Sequence, residues 1–201
     1  MKTGNRFYRG FYYFARAAIG IFYRLEVIGK ANIPEGNAIV CANHSGMVDP
    51  FLIAFAVGKT RNIHVITKAE LFRIPIISQV LKKLGMISVD RGVLDATAVK
   101  STLRYLKNNE IVVIFPEGTR VSTDDAVAAK TGAVKIAERS GAPIVPVFLP
   151  RKKPLFRKIR LIIGKPYYLA KQSQKRSQVE YIDLSNALME KIKLLSSEGY
   201  V

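Results

Sequence analysis

The sequence predicts an α/β fold: a single layered domain with a mostly parallel central sheet flanked by helices, preceded by an N-terminal helical segment at a membrane interface. Three observations carry this expectation. Seven short apolar, β-rich runs punctuate the chain, and helical patterns fill most of the gaps between them. Strands alternating with helices imply parallel pairing through crossover units. The chain has 201 residues, 49% of them hydrophobic, which suits one domain with a substantial buried core. No internal repeat or Gly/Ser linker divides it.

Residues 7–23, FYRGFYYFARAAIGIFY, hold eight of the 19 Phe and Tyr. A spanning helix needs roughly 20 mostly apolar residues, and Arg9 and Arg16 interrupt this shorter stretch. Arg16 also breaks the apolar region of a signal peptide, and no small-residue cleavage site follows. An aromatic helix dotted with Arg suits the headgroup boundary of a bilayer; the alternative is an ordinary helix packed on the domain. Residues 1–24 are therefore expected to form a membrane-associating segment, and 25–201 the main domain.

The expected strands are 25–28, 38–42, 63–66, 86–89, 111–115, 144–149 and 159–163. Residues 50–57, 70–83, 93–108 and 125–140 read as helices between them. A last helix, 178–196, aligns Leu184, Leu188, Ile192 and Leu195 on one face. Pro146 inside a strand pattern suggests an edge or a bulge.

The 32 Lys+Arg against 15 Asp+Glu give a formal net charge of +17. Such an excess points to an anionic partner, nucleic acid or an acidic membrane surface. From Arg151 to Val179 there are ten basic residues and no acid. One cysteine, Cys41, and two histidines, His44 and His64, exclude a disulfide framework and the usual zinc site. The chain has no nucleophile elbow, phosphate-binding loop or dinucleotide fingerprint. Neither a metal nor a bound cofactor is expected.

Chemistry concentrates at strand ends, where α/β sheets carry their sites. Asn43-His44-Ser45-Gly46-Met47-Val48-Asp49-Pro50 follows one apolar strand. His44 and Asp49 can meet only if the chain turns between them, and Ser45-Gly46 supplies a turn. An Asp holding one imidazole nitrogen leaves the other as a general base. The alternative is Asp49 as a helix N-cap with His44 bonded to backbone. A second strand leads into Phe115-Pro116-Glu117-Gly118-Thr119-Arg120, where Gly118 permits a tight turn and Arg120 can grip a phosphate. A simple Glu117–Arg120 ion pair is the other reading. The remaining strand ends are Gly85 to Arg91, where Asp90 and Arg91 form at least a solvated pair, and Ala142 to Val147.

These four blocks, in this order, resemble the glycerolipid acyltransferase family, specifically the small bacterial 1-acylglycerol-3-phosphate type. Asn43 to Pro50 matches N-H-x4-D-P, Phe115 to Arg120 reads F-P-E-G-T-R, Gly85 to Arg91 matches the block ending in Asp-Arg, and Ile144 to Val147 matches I-V-P-V. Lys130-Thr131-Gly132-Ala133 resembles the family's K-x-G-A, and the likeness covers about residues 25–165. The resemblance implies that His44, oriented by Asp49, deprotonates the 2-hydroxyl of lysophosphatidic acid, which attacks an acyl thioester directly. It implies that Arg91 and Arg120 bind the phosphate, with Lys68 a weaker candidate whose alternative is a solvated lysine. Glu117 would position Arg120 or a glycerol oxygen, backbone N–H groups around Gly118 would face the oxyanion, and Gly118 and Thr119 belong with these residues to the substrate-binding set. The implied donor is acyl-acyl carrier protein or acyl-CoA, and the implied location is the cytoplasmic face of the cell membrane, bound peripherally. Cys41 and His64 read as structural. The rival readings are acylation of the 1-position of glycerol-3-phosphate, and a basic membrane- or nucleic-acid-binding protein without catalysis. No nucleic-acid motif supports the last, so no nucleic-acid partner is expected.

Overall fold

The computed structural model describes residues 6–90, 95–121, 128–170, 172, 174 and 176–198. In chain order the elements are α1 (Arg6–Gly20), β1 (Arg24–Ile28), β2 (Ala38–Ala42), α2 (Asp49–Val57), β3 (Ile63–Lys68), α3 (Pro75–Lys83), β4 (Ile87–Val89), α4 (Ala96–Lys107), β5 (Ile111–Ile114), α5 (Gly132–Ser140), β6 (Ile144–Phe148), β7 (Lys158–Ile163) and α6 (Gln178–Glu198). The seven strands form one sheet in the order β1-β7-β6-β2-β5-β3-β4. All neighbours are parallel except β6 and β7.

The continuous apolar runs follow from this topology, because a parallel sheet is covered on both faces. In β2 every residue is buried, and alternate side chains enter different cores. Ala38, Val40 and Ala42 pack with α1, α2 and the end of α3, around Tyr8, Leu52, Phe55 and Leu84. Ile39 and Cys41 pack on the other face with α4, α5 and α6, around Leu106, Val134 and Leu188. α1 is docked on the domain: Phe11 lies 6.3 Å from Phe51 and Tyr12 makes an edge contact with Phe55 at 5.5 Å between ring centroids. Its other side leaves Phe7, Tyr13 and Phe14 exposed. No helix of the described residues is long and apolar enough to cross a membrane.

Three local expectations need correction, and of the two readings offered at Pro146 the bulge is the one that holds. The helix expected over 70–83 is two pieces, a 3-10 segment Ala69–Arg73 and then α3. Pro75 forces Ile74 into an extended conformation (φ −84°, ψ 115°), because its ring excludes the helical region for the residue before it. The helix expected over 125–140 begins only at Gly132; Lys130 is instead tied by its N–H to the Pro116 carbonyl at 2.8 Å, and residues 122–127 lie outside the described ones. Pro146 is not on an edge strand, since β6 runs between β7 and β2. Its carbonyl accepts from Gly164 on the β7 side, and there the pairing passes from Val147↔Ile163 to Ile144↔Tyr167. Three residues thus oppose two, a bulge at which the missing proline N–H breaks no regular ladder. Finally, Asp49 is not the N-cap of α2: Val48 is, and the Asp49 carboxylate turns back toward the loop before it.

Candidate active site

Strands β2 to β6 are mutually parallel, so their C-terminal ends open on one edge of the sheet. That edge gathers the loop 43–48 after β2, Lys68 ending β3, Asp90 after β4, the turn 115–120 after β5 and residues 149–153 after β6. Two side chains lock the loops together from within. Asn43 Nδ2 donates to the Leu149 carbonyl at 2.7 Å, and its Oδ1 accepts from the Leu149 N–H at 2.8 Å. Glu117 accepts from the His44 backbone N–H at 2.8 Å and from Arg151 Nη2 at 2.7 Å. The expected pairing of Glu117 with Arg120 is therefore replaced by one with Arg151. A carboxylate buried at this depth needs a charged donor beside it, and Arg151 arrives from β6.

His44 Nδ1–H donates to Asp49 Oδ2 at 2.9 Å. The same oxygen accepts the Ser45 N–H at 2.7 Å and the Gly46 N–H at 2.8 Å, so the Ser45-Gly46 turn wraps the carboxylate. Phe115 stacks on the imidazole with centroids 4.1 Å apart. Asp49 is 0% exposed. Burial alone would push its carboxyl up, but hydrogen bonds from His44 and Lys153, the Lys153 charge and the Gly46 N–H hold it below the usual carboxylate range.

Lys153 is the functional residue that local sequence reasoning missed. Its amine lies 2.8 Å from Asp49 Oδ1 with only 5% of the side chain exposed, and it donates to Ser45 Oγ at 2.6 Å. Ser45 Oγ in turn donates to the Arg151 carbonyl at 3.0 Å. The signal that could have found it is positional: Arg151 and Lys153 follow β6 just as His44 follows β2. Not all ten basic residues of 151–176 are therefore available to an anionic partner. Arg151 and Lys153 face Glu117 and Asp49, and Arg176 faces Glu138.

An apolar cavity of about 1650 Å³ runs beside this centre, with His44, Lys68, Phe115, Gly118, Thr119 and Arg120 in its wall. Small-molecule pockets are usually about 300–1,000 Å³, so the space suits a longer molecule. Tyr8, Phe11 and Ala15 of α1 and Phe51 and Phe55 of α2 line its apolar part. Lys68 pairs with Glu70 at 2.7 Å, both side chains half exposed. Such a surface pair is weak and leaves the lysine able to turn to an anion. Arg91 lies outside the described residues.

Gly118 has φ +66°, a conformation L side chains resist. Its N–H donates to the Phe115 carbonyl at 3.0 Å and so closes the turn. A Cβ here would meet Lys130 Cε at 2.7 Å, but that is a flexible chain that can yield. The backbone angle is the firmer constraint. Gly118→Ala is expected to lower stability by about 1–2 kcal/mol, and Gly118→Asn by less, which thermal unfolding of the two variants checks.

His64 stays structural. Its ring stacks on Tyr105 at 3.5 Å, Nδ1–H donates to the Gly85 carbonyl at 2.8 Å, and Glu110 lies 3.3 Å from Nε2. Burial chiefly holds its pKa below the usual histidine value.

A family model described as Acyltransferase matches residues 24–149, more than half of the chain. A 1-acyl-sn-glycerol-3-phosphate acyltransferase of Bacillus subtilis (strain 168) is 38% identical over 181 residues, covering 87% of this chain and 89% of that protein. The protein of the same description from Borreliella burgdorferi is 33% identical over 131 residues; the match covers 63% of this chain and about half, 51%, of that relative. The crystal structure of the 1-acyl-sn-glycerophosphate acyltransferase PlsC from Thermotoga maritima superposes with a TM-score of 0.69 at 26% identity, covering 94% of this chain and 79% of that one.

Proposed function

The chain belongs to the acyltransferase family, and on that premise we propose that His44 is the general base for acylation of the 2-hydroxyl of 1-acyl-sn-glycerol-3-phosphate in phospholipid biosynthesis. The observation that carries this is an imidazole fixed through Nδ1 on a buried carboxylate while its ring lines a long apolar cavity. With Nδ1–H donated to Asp49, Nε2 holds the lone pair that takes the hydroxyl proton. The alkoxide oxygen attacks the thioester carbonyl, the C–S bond breaks as the tetrahedral intermediate collapses, and the imidazolium returns its proton to the leaving thiolate. The products are phosphatidic acid and the free thiol.

The protein's other residues divide the remaining work. Arg120 and Lys68 meet the phosphate, joined by Arg91. Because the Gly118 N–H closes its own turn, the N–H groups of Thr119 and Arg120 take over the oxyanion role. Glu117 acts indirectly, holding the His44 backbone and Arg151 in place. Lys153 is a positioning residue, since its ammonium sits on Asp49 Oδ1 and helps keep the carboxylate that orients His44 ionised. Acyl-acyl carrier protein and acyl-CoA are the two donors to compare.

The cytoplasmic face of the cell membrane is the proposed place of work, with peripheral attachment through the outer face of α1. Exposed Phe7, Tyr13 and Phe14 on α1 supply apolar contact, and exposed cations such as Lys152, Arg157 and Lys165 supply attraction to anionic lipid. High salt is expected to weaken binding to anionic vesicles without abolishing it, as flotation at two ionic strengths checks; complete release contradicts apolar docking. The functional test offers a long-chain acyl thioester with lysophosphatidic acid or with glycerol-3-phosphate. Product from lysophosphatidic acid alone is the expected result. Product from glycerol-3-phosphate alone moves the activity to the first acylation.

A further inference from the structure

The loop between β6 and β7 carries an unusual feature close to the active site. Phe156 has φ +62°, a left-handed conformation that is strained for a bulky aromatic residue. Its side chain is nevertheless 65% exposed, and the neighbouring Leu155 is 54% exposed. Burial in the fold therefore does not explain the strain. The loop is held firmly at its base: the Phe156 N–H donates to the Phe22 carbonyl at 2.6 Å, and the Arg24 N–H to the Arg157 carbonyl at 3.4 Å. The Phe22 and Phe156 rings lie 5.8 Å apart. Phe22 and Ile21, just past α1, are themselves exposed. Phe22 and Phe156 thus meet where the two segments touch, each with an exposed apolar neighbour in sequence, Ile21 or Leu155, and Arg24, Lys152, Arg157 and Lys158 of the same segments are exposed.

We propose that Ile21, Phe22, Leu155 and Phe156 form a wedge that inserts into an anionic bilayer and seats the active site against the lipid surface. Exposed apolar side chains with exposed cations on the same segments match the layering of such a membrane, with acyl chains below and phosphates at the boundary. A backbone turned outward against its own preference is the kind of strain that a functional contact maintains. The loop also connects directly to the chemistry, since Leu155 and Phe156 follow Lys153, whose amine grips Asp49. Insertion of the wedge holds the His44 centre at the depth of a lysolipid headgroup. This inference rests on the membrane attachment proposed above, to which it adds a second anchor at the far end of α1.

The test compares the wild-type chain with the double variant Leu155→Ser/Phe156→Ser. Vesicle flotation uses phosphatidylglycerol vesicles and, as a control, phosphatidylcholine vesicles. Activity is read with lysophosphatidic acid in the anionic vesicles, and with hexanoyl lysophosphatidic acid and octanoyl coenzyme A as monomeric substrates. The expected result is a loss of vesicle affinity of about tenfold or more and a matching loss of vesicle activity, with monomeric turnover unchanged. Equal vesicle binding by the two proteins overturns the wedge alone. Failure of the wild type to bind anionic vesicles overturns the whole membrane attachment. Loss of monomeric turnover makes the loop a structural support of the site and also overturns the wedge. A dimeric wild type in sedimentation that becomes monomeric in the variant, with vesicle binding unchanged, assigns these side chains to a second copy of the chain.

Discussion

Replacing His44 by alanine is expected to lower kcat/KM about a thousandfold, the middle of the range for removing a general base. The fold survives this change. Asp49 keeps the Ser45 and Gly46 N–H groups on Oδ2 and the Lys153 amine on Oδ1, so no buried charge is left alone. The cost in stability is expected to be no more than about 2 kcal/mol, mostly from lost stacking on Phe115. Initial rates with lysophosphatidic acid and a long-chain thioester, paired with a thermal melt, check both parts. A loss smaller than about tenfold, well below what a general base supplies, contradicts the assignment of His44.

Lys153→Met is expected to move the acid limb of the kcat/KM profile upward and to lower activity at neutral pH. The ammonium sits on the far oxygen of the carboxylate that holds His44. Without it the Asp49 carboxyl loses the hydrogen bond and the charge that help hold it low, so it takes up its proton at a higher pH and no longer fixes the imidazole. Stability falls by about 3 kcal/mol, because a buried carboxylate loses its counter-charge. Lys153→Arg keeps the charge and is expected to return the acid limb toward the wild-type position. A purely structural lysine lowers stability without moving the limb, so a pH profile of the three proteins separates the readings. The stability itself has a defined pH window. The Asp49 carboxyl is held low in the folded chain, so its contribution is complete above the ordinary carboxylate range. It is lost as pH falls through the folded value, and the stability gap between wild type and Asp49→Asn closes there.

Much of this account was legible before the structure because parallel strands advertise themselves. The run Ala38–Ala42 is apolar at every position, since both faces are covered. The turn at Ser45-Gly46 was the one local device able to bring His44 to Asp49. What sequence reading lost was whatever the fold brings together across the sheet. Lys153 reaches Ser45 across 108 positions, and one cation among the ten of that stretch carries no local mark of its inward turn. Local spacing offers Glu117 only Arg120 or a substrate oxygen as partner, whereas Arg151, 34 residues away, reaches it after β6. Asp49 looked like a helix cap because Asp-Pro is a common helix start, yet its carboxylate binds backward to the loop, and Val48 occupies the capping position. The break at Ile74 was legible in principle from Pro75, but the apolar period on both sides of it suggested one helix.

In the mechanism proposed above acyl transfer is direct, with the imidazole of His44 as the base and no covalent acyl-enzyme. Two nearby groups are unsuited to act as nucleophiles. The Cys41 thiol is buried in β2, and burial pushes its pKa upward, away from the reactive thiolate. The Ser45 hydroxyl donates to the Arg151 carbonyl and accepts from Lys153. The most direct measurement is the intact mass of the protein, acid-quenched during steady turnover with a long-chain acyl thioester and lysophosphatidic acid. Direct transfer leaves the mass of the unmodified chain at every time point while phosphatidic acid accumulates. A population heavier by one acyl group, mapped to Ser45 or Cys41 and turning over at the rate of product formation, would contradict it.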